Sequence, residues 1–464
     1  MIVKTKKFTI GELASVCHGM LIGDANITVD SFATDSREII PGSLFLAIKG
    51  ERVDGNDYIL PAVNAGAACV LSQKTAPEAE GNYIIVEDTV KALGEIAAYH
   101  KASLHIPTVA VTGSVGKTTT KDMITSILSQ KYKTFKTQGN HNNEIGLPLS
   151  LLSLDESYGA AVLEMGMSAK GEIDYLASIA RPDIAVITNI GSMHIENLGS
   201  REAIRDAKME IGNYLPKNGT LILNGDEELL RSVAGAFYVS KDNTAADMRV
   251  LNVIEGDNGS AFDLAIGRER IESIVLPAFG IHNIFNAALA IAVGFRFGMG
   301  EFEIRRGLVE FKAGDMRQHI YDACKITIIE DCYNAGPESM EAALAVLSST
   351  SNKRGKRAVA VLGEMRELGD YSYELHRKVG ALAAKAGVEL LFTVGDMAKP
   401  VADAAVESGM DQSQVIHIPS DVGYDRAALI ISGYLHEGDI VLFKASRALR
   451  LEALISALEG VLSL

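Results

Sequence analysis

Residues 108–120 constrain this chain more than any other stretch. An apolar strand, Thr108–Thr112, runs into Gly113-Ser114-Val115-Gly116-Lys117-Thr118-Thr119-Thr120 and then into a helical pattern. A phosphate-binding loop needs a strand to fix its start and glycines that let backbone amides approach oxygens. It also needs a lysine to meet negative charge and a hydroxyl to meet Mg²⁺. All are present, although two residues separate Gly113 from Gly116 where the usual loop has four. A glycine-rich structural turn with an incidental lysine is the plainer reading. It gives no reason for a donor or a small residue at nearly every position from Ser114 to Thr120. Gly113, Ser114, Val115, Gly116, Lys117, Thr118 and Thr119 are therefore candidate contacts for ATP, with Thr118 also facing Mg²⁺.

The chain's 464 residues exceed what one core organises and suggest several domains. No apolar run approaches the roughly 20 residues that span a bilayer, so membrane insertion is not expected. Met1-Ile2-Val3-Lys4-Thr5-Lys6-Lys7 is not followed by a signal-peptide core. Cys17, Cys69, Cys324 and Cys332 are scattered without metal-binding spacing and read as reduced thiols of a cytoplasmic protein. The net charge of −15 leaves no basic stripe for nucleic acid. An anionic nucleotide must then be held by local amides, a few cations and Mg²⁺.

The pattern divides into a small α/β unit over 1–86, a central α/β unit over 87–312 and a third over 313–464. The first has short strands near Ser31–Phe32, Ser43–Ile48 and Cys69–Leu71. In the central unit Thr108–Thr112, Ala160–Glu164, Ile184–Thr188 and Thr220–Leu223 are continuous apolar runs, as in a parallel sheet covered on both faces. Lys325–Glu330, Arg357–Leu362, Glu389–Val394 and Asp439–Lys444 repeat that pattern in the third. The fold class is α/β, with three domains: a small N-terminal one, a central P-loop-type doubly wound sheet and a Rossmann-like C-terminal one. Such sheets bind ligands beyond the carboxyl ends of their strands.

Polar residues at those ends carry the chemistry. Glu164 closes an apolar strand, where a carboxylate is costly unless paired or on a metal. His194 and Glu196 follow the next strand. Thr118 and Glu164 suit Mg²⁺, which prefers oxygen ligands, and His194 is a direct or water-mediated candidate. Ser200 is placed to cap the following helix, whose apolar stripe Ile204, Ile211, Leu215 contains Lys208. Either the Lys208 stem packs while its amine snorkels, or the amine is desolvated with a lowered pKa and can add CO₂ to give a carbamate. Gly280-Ile281-His282-Asn283-Ile284-Phe285-Asn286 opens a helix expected from Asn283. There the asparagine is either a cap or an adenine contact. Asp331 and Asn334 precede a helix with Pro337 near its first position. The carboxylate can hold ribose hydroxyls or simply cap.

Taken together these segments resemble the Mur ligase family, the ATP-dependent amide-forming enzymes of peptidoglycan assembly. The resemblance rests on the short phosphate loop, Gly139 to Pro148, Glu164-Met165-Gly166, the His194 segment, Ala207-Lys208-Met209-Glu210-Ile211 and Gly280 to Asn286, all in order. It implies that Lys117 binds the β- and γ-phosphates. Thr118 and Glu164 would hold one Mg²⁺, and His194 with carbamylated Lys208 a second. Asn283, Asn286, Arg317, Asp331 and Asn334 would hold the nucleotide. Ser36 and Arg37 would lie at a uridine diphosphate end, Asn140, Asn142 and Asn143 along the substrate, and Lys444, Ser446 and Arg447 near an incoming dipeptide or phosphates.

Within the family, Asp35-Ser36-Arg37, Pro41 to Gly50, Asp331 to Met340 and Val361 to Gly369 point to the addition of D-alanyl-D-alanine to a UDP-N-acetylmuramoyl tripeptide. The small-molecule partners expected are those two substrates, and the chain is expected to act as a monomer. The alternatives are another amino-acid ligase of the family, a folylpolyglutamate synthase-like ligase, or a P-loop ATPase without ligase chemistry.

Overall fold

The computed structural model describes residues 1–463 apart from 51 and 77. Three separate sheets account for its strands, and no strand is shared between them. The first contains β1 (Ile2–Thr9), β2 (Met20–Ile22), β3 (Thr28–Ala33), β4 (Ser43–Leu46), β5 (Cys69–Ser72) and β6 (Tyr83–Ile85), in the order β1-β3-β4-β5-β6-β2. β3 to β6 run parallel, with β1 and β2 added antiparallel at the edges.

The middle sheet contains β7 (Thr108–Thr112), β8 (Thr134–Lys136), β9 (Ala160–Glu164), β10 (Ile184–Ile187), β11 (Thr220–Asn224), β12 (Phe237–Ser240), β13 (Met248–Gly256), β14 (Gly259–Ile266) and β15 (Glu269–Leu276). Their order is β15-β14-β13-β12-β11-β10-β7-β9-β8. The sheet is parallel from β8 to β13. β14 and β15 then continue it antiparallel, an extension that the parallel reading of the sequence does not include. Burial explains the continuous apolar runs. Val109 and Val111 pack on one face with Ala160, Val162, Ile184 and Val186. Ala110 packs on the other with Ala161, Leu163, Ala185 and Ile187. Successive side chains point to opposite faces, so a strand covered on both must be apolar throughout.

The third sheet contains β16 (His319–Ala323), β17 (Ile326–Glu330), β18 (Ala358–Gly363), β19 (Leu390–Val394), β20 (Val415–Ile418) and β21 (Ile440–Lys444), in the order β16-β17-β21-β18-β19-β20. It is parallel except for edge strand β16.

Two features of this topology build the site. β7 lies between β9 and β10, so the chain leaves it in both directions and a crevice opens beyond its carboxyl end. β21 lies between β17 and β18, which sets Asp331, Glu364 and Lys444 side by side at one edge of the third sheet. No helix of the described residues is long and apolar enough to cross a membrane.

Candidate active site

The phosphate loop is pinned from behind. Asn189, after β10, accepts from the Val115 amide through its side chain at 2.9 Å and from the Ser114 amide through its carbonyl at 3.1 Å. Ser114 Oγ accepts from the Gly191 amide at 2.8 Å. Two amides that the sequence offers to a ligand are therefore spent on holding the loop. Gly113 has φ +148° and Gly116 +84°. A Cβ on Gly113 would fall on Thr188 Oγ1, and one on Gly116 would lie 2.5 Å from Asn286 Oδ1, so neither position tolerates a side chain.

Gly116 caps the helix Lys117–Leu128 without any side-chain bond to its first amides. The amides of Lys117, Thr118 and Thr119 are the first-turn donors that a helix cannot satisfy internally, and the helix dipole adds positive potential there. Lys117 Nζ folds back onto the Gly113 and Ser114 carbonyls, at 2.8 and 3.4 Å. Desolvation lowers its pKa, with Glu164 opposing. Part of Lys117 still faces the cleft, which keeps that lowering smaller than at Lys208.

Glu164, at the end of β9, is buried and gathers neighbours. Oε2 accepts from Thr118 Oγ1 and Oε1 from Asn142 Nδ2, each at 2.8 Å. Lys121, one turn along the phosphate-loop helix, is buried with Nζ 3.7 Å from Glu164 Oε2 and 3.1 Å from the Thr137 carbonyl. It is a cation behind the carboxylate that sequence reasoning missed. Its spacing from Lys117 was the available signal, since four residues place both on one helix face.

Lys208 resolves into the desolvated alternative. The helix Arg201–Met209 is capped by Ser200, which accepts from the Ala203 amide at 3.1 Å. Ile204, Ala207 and Lys208 face inward, and Lys208 is only 2% exposed. Snorkelling is thereby excluded. Burial, and then the Lys117 charge, hold its amine well below the usual lysine range. The stripe does not continue as one helix, because Glu210–Gly212 tightens into a 3₁₀ turn.

His194 has φ +65° and its Nδ1 lies 2.6 Å from Glu367 Oε2. The separation is that of a charge-assisted hydrogen bond. The ring N–H does not point along that line, so the contact holds as an ion pair. Glu367 comes from the loop after β18, and its pairing with His194 keeps its carboxyl below the ordinary range.

The nucleotide candidates line the same space from the other side. The helix Ile281–Arg296 starts two residues earlier than expected, with Gly280 (φ +88°) as its cap. Asn283 therefore sits inside the first turn and is not the cap. Its Nδ2 donates to the Phe279 carbonyl at 2.9 Å and to Gln318 Oε1 at 2.8 Å. Asn286 Nδ2 donates to Asn283 Oδ1 at 3.2 Å. The Arg317 guanidinium sits 4.0 Å from the Tyr333 ring centroid. His282 is hydrogen-bonded to Gln318 at 2.8 Å, and burial pushes its pKa down to about 4. Asp331 Oδ2 accepts from Lys444 Nζ at 2.7 Å, while Asn334 Oδ1 accepts from the Ala335 amide.

One cavity of about 1390 Å³ collects most of these groups. Ser114 through Thr119, Asn140, Asn142, Asn143, Glu164, His194, Asn283, Asn286, Arg317, Asp331, Asn334 and Lys444 line it. It exceeds the ~300–1,000 Å³ of an ordinary ligand pocket and so has room for a nucleotide and a second reactant.

Several expected site residues lie elsewhere. Ser36 and Arg37 are on the N-terminal domain, where Arg37 pairs with Asp35 at 2.6 Å. Ser446 is buried and takes the Arg366 amide at 2.9 Å, and Arg447 pairs with Glu452 at 2.6 Å. Lys208 does not line the cavity. Asn143 is occupied, since its side chain accepts from the Gly146 amide at 2.8 Å and opens a short helix. Lys444 lines the cleft but its amine is spent on Asp331. In each case the side chain found a nearer intramolecular partner, which spacing along the chain does not reveal.

The chain's relatives agree with this geometry. Residues 28–101 match the model of the Mur ligase family catalytic domain, 111–294 the Mur ligase middle domain and 316–447 the Mur ligase glutamate ligase domain. The chain belongs to the Mur ligase family. It is 38% identical over 458 residues to the UDP-N-acetylmuramoyl-tripeptide–D-alanyl-D-alanine ligase of Bacillus subtilis (strain 168), covering 97% of this chain and 98% of that one. It is 35% identical to the Escherichia coli (strain K12) protein of the same name, with 97% and 98% covered. Among solved structures, MurF from Acinetobacter baumannii superposes with a TM-score of 0.89 at 30% identity, over 99% of this chain and 100% of that one. MurF from Thermotoga maritima in complex with ADP gives 0.82 at 29%, over 93% and 97%.

Proposed function

We propose that this protein is an ATP-dependent, ADP-forming ligase that joins D-alanyl-D-alanine to UDP-N-acetylmuramoyl tripeptide, making the pentapeptide precursor of peptidoglycan. One observation carries the reading. An unfilled helix N-terminus, Lys117 and the Thr118–Glu164 pair converge in one cleft of a chain collinear with ligases of that name.

The reaction brings two anions together. A peptide carboxylate attacks the γ-phosphorus of ATP, the bond to the bridging oxygen breaks, and acyl phosphate and ADP form. The dipeptide amine then attacks the acyl carbon and loses a proton. The tetrahedral intermediate collapses to amide and inorganic phosphate. In this scheme the amides of Lys117, Thr118 and Thr119 receive the phosphates, and Lys117 turns from the Gly113 carbonyl to the migrating charge. Asn283, Asn286, Arg317, Asp331 and Asn334 hold the nucleotide. Asn140 and Asn142 face the peptide carboxylate. Lys444 fixes Asp331.

The donor set fits Mg²⁺. The Thr118 hydroxyl and Glu164 carboxylate are hard oxygen ligands already 2.8 Å apart. No group of three or more His, Cys, Asp or Glu among the described residues forms a metal cage, so phosphate oxygens and water would complete the shell. When bound, the ion neutralises phosphate charge as it moves. His194 lines the same cleft. Lys208, a neutral amine without a hydrogen-bond partner among the described residues, is chemically able to add CO₂, and its carbamate would extend toward Lys117.

Divisions near 86 and 312, a cytoplasmic location and a monomeric chain belong to the same proposal. The three separate sheets support the divisions. The test is phosphate release from ATP and Mg²⁺ with UDP-N-acetylmuramoyl tripeptide, with and without D-alanyl-D-alanine. Release that requires both substrates supports the ligase. Release indifferent to the dipeptide overturns it in favour of a plain ATPase.

A further inference from the structure

The third domain grips one short segment of the middle domain at three points. Glu338, in the first turn of the helix Pro337–Arg354, accepts from the Ser192 amide at 2.9 Å and from its hydroxyl at 2.8 Å. Tyr371 Oη donates to the Gly199 carbonyl at 3.1 Å. Between them Glu367 reaches His194 Nδ1 at 2.6 Å. His194 and Glu367 both hold left-handed backbone, at φ +65° and +64°. A residue with a Cβ keeps that conformation only where its surroundings impose it.

Those surroundings are visible on the Glu367 side. The Met365 amide donates to His376 Nε2 and the Arg366 amide to Ser446 Oγ, at 3.0 and 2.9 Å. Leu368 is buried. Backbone on both sides of Glu367 is thus fixed, and the carboxylate is aimed into the cleft that it lines with His194 and Lys117. A carboxylate against one ring nitrogen keeps the proton there and leaves the lone pair on the other, the arrangement by which outer carboxylates orient ligating histidines.

We infer that Glu367 is a positioning residue that holds the His194 ring with Nε2 presented to the phosphate cleft, and that this setting exists only while the third domain is docked. The inference deepens the ligase reading and rests on it for the place of His194 in the reaction. Docking then does more than exclude water, because it delivers the group that sets the histidine.

The test uses Glu367→Ala and Glu367→Gln in the full chain, with thermal melting to verify folding. Two readouts are taken. The first is the long-range ¹H–¹⁵N spectrum of ¹⁵N-histidine-labelled protein without substrates, the His194 signal being assigned by its absence in His194→Gln. The second is steady-state turnover. Expected for Glu367→Ala are loss of the Nδ1-protonated pattern and a kcat lowered ~10–100-fold, with the KM for ATP changed far less. Glu367→Gln keeps an acceptor oxygen but not the charge, and falls between. The double variant with His194→Gln is no slower than His194→Gln alone. An unchanged His194 signal with kcat within about twofold of the parent, or additive losses in the double variant, overturns the inference. Failure of the ligase reading shows separately, as parent turnover indifferent to the dipeptide, and the spectrum still decides whether Glu367 sets His194.

Discussion

The carboxyl edges of the middle and third sheets have the same parallel architecture and opposite charge economies. At the third sheet the charged groups are paired internally. Lys444 meets Asp331 at 2.7 Å, Arg366 meets Glu364 at 2.6 Å and Arg447 meets Glu452 at 2.6 Å. At the middle sheet Lys117 rests on neutral carbonyls, the first-turn amides are unfilled, and Lys208 has no polar partner among the described residues. A fold leaves buried positive groups unmatched only at a cost. The mismatch marks where anions are brought in, whereas the matched edge serves as a frame that carries side chains to the cleft.

Removing the mismatch at its centre should have the largest effect. Lys117→Met is expected to lower kcat for substrate-dependent phosphate release by ~10²–10³-fold, as for loss of a preorganised charge-stabilising donor. Its melting temperature should stay near that of the parent, since the carbonyls it releases face the cleft. A variant that turns over normally would erase the distinction between the two edges.

The matched edge should respond the other way. Lys444→Met leaves Asp331 unpaired beneath the cleft and is expected to cost about 3 kcal/mol in denaturant unfolding, the low end for a broken buried pair because Asp331 keeps some solvent. A loss below about 1 kcal/mol would mean that the pair is no more than a surface contact.

His282 gives a smaller, pH-dependent signal. Its folded pKa of about 4 lies below the unfolded 6.5, so the unfolded state binds the proton first as pH falls. Stability should decline from pH 6.5 towards pH 4, by on the order of 2 kcal/mol after allowing for the partial exposure of the ring. His282→Gln should flatten that decline, measured as the unfolding midpoint at each pH.

Lys208 should give the smallest shift and the most telling sign. Its folded pKa is depressed, so below 10.5 the unfolded state binds a proton that the native state refuses. The native state is therefore penalised at neutral pH, and the penalty fades as pH rises to 10.5. Lys208→Met should melt at the parent temperature or slightly above it at pH 7, with the difference shrinking in alkali, while turnover is lost. A clear fall in melting temperature would make Lys208 a structural residue.

Much of this site could be read along the chain. The phosphate loop, the carboxylate ending β9 and the inward-facing Lys208 follow from local rules: strand into glycine into lysine, one polar residue closing an apolar run, one lysine within an apolar helical stripe. The strands placed from sequence differ from those observed by a residue or two at their ends in most cases, because β-period burial on both faces writes itself into composition. Val109, Ala110 and Val111 are an example, split between two cores. Other features were not legible. The antiparallel β14 and β15, the occupation of the Ser114 and Val115 amides by Asn189, and the Gly280 cap depend on partners far along the chain or on one backbone angle.

The sequence by itself determined that a phosphate-binding α/β unit sits between two others, which residue types could do its chemistry, and the family to which they belong. Those properties reside in short windows whose physics is local. Only the tertiary structure decided which charges are left unmatched, that Lys121 stands behind Glu164, and that Glu367 crosses from one domain to touch His194 173 residues away. Desolvation and pairing depend on what lies within a few ångströms, and that proximity is set by how the sheets pack against one another.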